Sequence, residues 1–161
     1  MRKRHSQLDF PGSIHFITTV TRVRGSWFTE DKVCHYLLEL FEGYRQKFDL
    51  TCFGYVLMPD HLHTVIMQTV EGSLVPKLME GFKSVSSRNL IIEGYPEHRL
   101  WSDRYDDVPV PGSDAVKTKL EYMHYNPVKR GLVTAEQEFL WSSVRDWFDV
   151  SRGIITIDKT L

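Results

Sequence analysis

The stretch from Tyr55 to Met67 (Tyr55-Val56-Leu57-Met58-Pro59-Asp60-His61-Leu62-His63-Thr64-Val65-Ile66-Met67) leaves a folded chain few options. Two apolar runs rich in β-branched residues, Thr51 to Met58 and Leu62 to Gln68, flank Pro59-Asp60. Proline fixes φ for a turn and aspartate suits the position after it, so the pattern predicts two antiparallel strands joined tightly. Side chains alternate along a strand, which puts His61 and His63 on one face and Leu62 on the other. Two imidazoles on one side of a stiff strand form half of a metal site. The same spacing also suits two half-exposed histidines on a solvated sheet face, and spacing alone does not choose.

The rest of the chain supplies a frame for that hairpin. His15 to Thr21 is rich in β-branched residues and reads as a first strand. Thr29 reads as the cap of a helix running to Phe48, with Val33, Tyr36, Leu37, Leu40, Phe41 and Tyr44 at helical spacing. A second helix starts at Gly72-Ser73, its stripe formed by Leu74, Leu78, Phe82 and Val85. A fourth strand falls within the irregular segment from Gly94 to Gly112. Ser113 caps a third helix, whose end is expected near Asn126 because Pro127 disfavours the helical region for the residue before it. A short helix and a tail follow, around Trp141-Ser142-Ser143, Trp147 and Phe148. The order β-α-β-β-α-β plus a helix is the α+β, ferredoxin-like split β-α-β pattern, an antiparallel sheet with helices packed on one face. At 161 residues it is read as a single domain, 1–161.

Composition sets outer bounds. With a net charge of −1 the chain is not one that coats duplex DNA by charge alone, though a local basic groove is compatible. Arg2, Lys3, Arg4 and His5 make a basic arm at the start. Cys34 and Cys52 fall at apolar positions and form no CxxC pattern, so buried reduced thiols are expected. No signal peptide or bilayer-length apolar run is present, and the expected location is cytoplasmic.

The third helix carries Tyr122 and Asn126, four residues apart and therefore on one face, distinct from the Val116, Leu120, Met123 stripe. If that face covers the two imidazoles, a phenol and an amide oxygen join them. Tyr125 lies about 100° further round the helix than Asn126 and cannot share its direction. Tyr105, in the irregular segment, stays open as a rival.

These blocks together carry a resemblance. The Tyr55 to His63 block, then Leu100-Trp101, then Tyr122-Met123-His124-Tyr125-Asn126-Pro127-Val128-Lys129-Arg130-Gly131-Leu132-Val133, then Trp141-Ser142-Ser143, resemble the REP-associated tyrosine transposases. These are relatives of single-tyrosine insertion-sequence transposases with a His-hydrophobic-His motif (HUH endonucleases). The resemblance implies that His61, His63 and Asn126 bind a divalent metal and that Tyr122 is the nucleophile. It implies cleavage and rejoining of single-stranded DNA beside a hairpin, through a 5′-phosphotyrosine, by a monomer or a homodimer. Imidazole and amide ligation admits Mg²⁺ or Mn²⁺, whereas zinc more often recruits a further His or Cys. Arg22, Arg24, Lys77, Lys83, Arg88 and Lys129 are the basic candidates to position the DNA. One departure stands out: relatives show a histidine where this chain has Asp107-Val108, which weakens any DNA contact assigned to that loop. Two other readings remain, a non-catalytic nucleic-acid-binding module on the same sheet and a metal-dependent hydrolase of small phosphoesters. No strand carries the Gly-Phe-x-Phe stacking pattern used by sheet-face RNA readers.

Overall fold

A computed structural model describes residues 8–90 and 99–161. The basic arm at Arg2 to His5 lies outside the described residues. The elements are β1 (Ile14–Val20), α1 (Asp31–Lys47), β2 (Thr51–Met58), β3 (His61–Met67), α2 (Leu74–Asn89), β4 (Asp106–Pro109), α3 (Ser113–Lys129) and α4 (Val144–Trp147), with short 3₁₀ turns at Arg22–Arg24 and Glu136–Glu138. The strands form one sheet in the order β2-β3-β1-β4, every neighbour antiparallel. This is the split β-α-β arrangement expected from the element order.

Strand alternation builds two cores. Ile17, Leu57, Leu62 and Ile66 face α1 and α2, meeting Leu37, Phe41, Leu78 and Phe82. Phe16, Phe53, Val56 and Val65 face the other way, under Val116, Leu120 and Met123 of α3. The two crossover helices therefore share one side and α3 takes the other. Each fully buried Leu or Phe in these layers contributes roughly 1.5–3 kcal/mol. Cys34 and Cys52 are free and buried in the first core, as expected.

Several boundaries shift for local reasons. The chain stays extended through Glu30, because the Phe28 N–H donates to Pro59 O at 3.0 Å, so α1 begins at Asp31 and Thr29 is not its cap. α2 rotates slightly from the expected stripe: Val75, Leu78, Met79, Phe82 and Ser86 are buried, while Leu74 and Val85 lie half-buried at the rim. Ser86 Oγ accepts the indole N–H of buried Trp101 at 2.8 Å. α3 starts after Gly112 (φ 90°) and runs through Pro127 to Lys129, past the expected stop. Pro127 removes a donor only in the last turn, where Arg130 N–H still reaches Asn126 O and Leu132 N–H reaches Pro127 O. Gly131, at φ 72°, then closes the helix in the left-handed region.

Two features tie α3 to the sheet. A β-bulge between Cys52 and Gly54 turns Gly54 toward α3. A Cβ there would lie 2.2 Å from Leu120 Cδ2, so glycine lets the Leu120 side chain pack directly on the β2 backbone. The free edge of β2 is covered by the segment after α3: Leu57 N–H donates to Trp141 O at 2.8 Å and Ser143 N–H to Tyr55 O at 3.0 Å. No helix among the described residues is long and apolar enough to cross a membrane.

Candidate active site

The hairpin places Asp60 in its turn and His61 first in β3, paired with Met58 and Val20. Asp60 is buried, and one carboxylate oxygen accepts the His61 Nδ1–H at 2.6 Å. The other accepts from Arg24 at 3.0 Å and from Arg130 at 3.2 Å. Burial alone would raise the Asp60 carboxyl, but the His61 hydrogen bond and the two guanidiniums outweigh it and hold it below the usual range. With the proton on Nδ1, the Nε2 lone pair of His61 points into the space under α3. Arg24 reaches Asp60 from a strained turn: Val23 and Arg24 both have positive φ, and Thr21 N–H is fixed on Asp60 O at 2.8 Å.

His63 sits two residues on, its ring centroid 4.5 Å from that of His61. Its Nδ1 lies 2.8 Å from Thr18 Oγ1, and donation to that hydroxyl leaves Nε2 with a lone pair. Burial pushes the pKa of His63 down to about 3, helped by neighbouring His61 and Arg24. Burial also lowers His61, against the opposing pull of Asp60. Both rings are therefore neutral donors at pH 7.

α3 brings the other two groups. The Asn126 amide is buried and its Nδ2 lies 3.2 Å from His61 Nε2. Turning the amide over brings Oδ1 to the same place. Tyr122 meets His63 edge-on at 5.7 Å between centroids and Phe16 at 6.4 Å, and is 51% exposed. A phenol open to solvent beside a buried imidazole is accessible to a large substrate. Tyr125 is equally exposed but makes no ring contact with the histidines among the described residues. Tyr105 packs against the α1–α2 core, on the opposite side of the sheet.

The orientation of α3 is held by a second contact. The buried His124 Nε2 lies 2.8 Å from Ser143 Oγ, which also accepts the Tyr55 N–H at 2.9 Å. The Trp141-Ser142-Ser143 block thus links the β2 edge to the helix that carries Tyr122 and Asn126.

The basic candidates separate by position. Arg24 is in the site, on Asp60, and Arg22 shares its 3₁₀ turn, exposed. Lys129 is exposed at the end of α3. Lys77 and Arg88 are exposed on α2, across the sheet from Tyr122. Lys83 is engaged elsewhere, since its ammonium donates to Ser102 O at 2.6 Å and lies 5.8 Å from the Tyr105 ring, with exposed Arg88 beside it. Asp107 is a β4 residue whose carboxylate binds Nδ1 of buried His15 at 3.0 Å, a structural link between β1 and β4. Asp60, Thr18, Arg130 and Lys119 were not singled out by sequence reasoning. An acid immediately before the first histidine was the available signal for Asp60; the others come from distant positions.

The donor set suits a divalent ion. Two neutral imidazoles and a carboxamide meet here, with Asn126 Nδ2 toward His61 and Oδ1 brought there by a flip, and the Asp60 carboxylate behind His61 fixes that ring as such carboxylates do for metal-binding histidines. Among the described residues no group of three His, Cys, Asp or Glu is placed to hold a metal, and the side chain that faces the His61 Nε2 is the Asn126 amide.

Comparison with known proteins agrees with this arrangement of elements. The profile of the family described as "Transposase IS200 like" matches residues 10–126. A Haemophilus influenzae protein named as a candidate REP-associated tyrosine transposase is 25% identical over 149 residues, spanning 82% of this chain and 80% of the relative. The fold matches that of a REP-associated tyrosine transposase bound to a REP hairpin, with TM-score 0.70 and 17% identity over 100% of this chain and 93% of that one. A candidate transposase of Deinococcus radiodurans matches with TM-score 0.52 and 17% identity, over 78% of this chain and 97% of that one. The family match covers well over half of the sequence: the chain belongs to the IS200-like transposases, enzymes of DNA transposition that nick and join DNA.

Proposed function

We propose that the chain cuts and rejoins single-stranded DNA through a 5′-phosphotyrosine on Tyr122, using a divalent ion, Mg²⁺ or Mn²⁺, held by His61, His63 and Asn126. The observation that carries this reading is that one helix lays Tyr122 against His63, 5.7 Å between ring centroids, and Asn126 against His61 at 3.2 Å. A bound divalent ion supplies a Lewis acid that polarises the phosphoryl oxygen. The Tyr122 oxygen attacks phosphorus in line, and its proton passes to the solvent that reaches this half-exposed ring. The bond to the 3′ oxygen breaks and that oxygen takes up a proton as a hydroxyl. The ester on Tyr122 keeps the bond energy, so the reverse attack by a 3′-hydroxyl rejoins a strand.

Asp60 fixes the His61 tautomer, and Thr18 orients His63. Arg24, on Asp60, and the exposed Arg22 and Lys129, in the 3₁₀ turn and at the end of α3, would contact flanking phosphates. Lys77 and Arg88, on the other layer, would serve DNA that wraps round the molecule. A solved relative of the same fold is bound to a REP hairpin, which supports a hairpin as the recognised element. The decisive experiment is Tyr122→Phe, assayed for covalent adduct with a hairpin-bearing single strand in Mn²⁺. Adduct in the wild type and none in the variant or in EDTA is expected; adduct retained by the Tyr122→Phe variant refutes the assignment.

A further inference from the structure

Lys119 stands one turn before Tyr122 on α3 and lines the same open pocket as Tyr122, His63 and Thr18. Its ammonium lies 4.8 Å from the centroid of the Phe16 ring. That ring in turn stacks on His63 at 5.2 Å and meets Tyr122 edge-on. Phe16 is therefore a shared floor under a cation, a phenol and a candidate metal-binding imidazole. Lys119 is half-buried and forms no salt bridge among the described residues. The Asp106 carboxylate also lines this pocket, and a cation held over a ring face in the same pocket offsets that charge toward an anion entering from outside. A strand phosphate that reaches Tyr122 through this pocket passes the Lys119 ammonium.

We infer that Lys119 is a further catalytic residue, binding a non-bridging oxygen of the scissile DNA phosphodiester beside Tyr122. This rests on the reading of Tyr122 as the nucleophile. Lys119 exchanges no proton in this step. As the Tyr122–phosphorus bond forms and the bond to the 3′ oxygen breaks, the ammonium opposes the charge on the equatorial oxygens. A compact ammonium on a flexible stem suits one oxygen of a moving phosphate, and a guanidinium at the same place retains the charge.

The test uses the full chain with Lys119→Gln, Lys119→Met and Lys119→Arg, in single-turnover adduct formation with hairpin-bearing single-stranded DNA and Mn²⁺. Glutamine and methionine are expected to slow the step by about 10²-fold, the scale of losing one donor to a developing anion. Arginine is expected to restore most of the rate. Mn²⁺ affinity without DNA and the melting temperature should match the wild type, while DNA binding loses about 0.7 from its salt slope. Wild-type rates for both neutral variants, or arginine no better than glutamine, overturn the role of Lys119 even where Tyr122→Phe abolishes the adduct. Adduct surviving in Tyr122→Phe instead overturns the reading beneath it.

Discussion

Asn in place of Asp60 is nearly isosteric, yet it should disable the site in a measurable way. Asp60 is 4% exposed and accepts the His61 proton at 2.6 Å, a buried charge-assisted hydrogen bond of roughly 1.5–3 kcal/mol. Its pairs with Arg24 and Arg130 involve guanidiniums about half exposed, so each adds only about 0–1 kcal/mol after solvent screening. The folded chain should therefore lose about 2–4 kcal/mol in urea unfolding without metal. The larger consequence is chemical. An Asn amide N–H can donate to His61 Nδ1, which moves the ring proton to Nε2 and blocks the lone pair that faces Asn126. Loss of such an outer-shell carboxylate commonly lowers metal affinity by about 10–100-fold. Isothermal titration with Mn²⁺ in the absence of DNA reads this directly. Wild-type Mn²⁺ affinity in Asp60→Asn would refute the claim that this carboxylate prepares His61.

Three further outcomes are expected. Gly54→Ala puts a methyl 2.2 Å from Leu120 Cδ2, so the buried Leu120 side chain must repack; unfolding should show a loss of about 1–3 kcal/mol, and an unchanged midpoint would mean that this contact yields freely. Burial lowers the pKa of His124 to about 4, so the folded state holds the ring neutral while the unfolded chain binds a proton near pH 6.5. Its contribution is complete above pH 6.5 and is lost as the pH falls toward 4, on the order of 3 kcal/mol; in EDTA, where His61 and His63 add to the same slope, His124→Gln should make that part of the stability curve less steep, and an identical slope would disprove the assignment. Ser143→Ala leaves the buried Tyr55 N–H and His124 Nε2 without their shared partner, which should cost about 1–3 kcal/mol and slow adduct formation; a variant as stable as the wild type would contradict the anchoring role.

What could be read from the sequence followed from periodicity and turn chemistry. The hairpin at Pro59-Asp60 and the side of β3 shared by His61 and His63 come from strand alternation. The pairing of Tyr122 with Asn126 comes from helical spacing. The helix end at Pro127 was misplaced because the residue-before-proline rule concerns local backbone sterics. Here the proline falls in a last turn whose carbonyls find other donors. The α2 stripe slipped because Ser86, a polar residue, is buried by its bond to Trp101, a partner 15 positions away. Asp60 read as a turn former, and nothing local tells that Arg24 and Arg130 converge on it. Lys119 escaped notice since its meaning depends on Phe16, which only the sheet brings beneath α3. Asp107 acquires a reason only through His15 on the neighbouring strand.

The most direct measurement locates the covalent bond. Wild-type chain incubated with hairpin-bearing single-stranded DNA and Mn²⁺, then digested with protease and nuclease, should yield a peptide around Leu120 to Lys129 carrying a 5′-linked nucleotide. That peptide holds two tyrosines, Tyr122 and Tyr125, and fragmentation should place the nucleotide on Tyr122. A nucleotide on Tyr125 or Tyr105, or DNA cleaved with no protein adduct at all, would contradict the account.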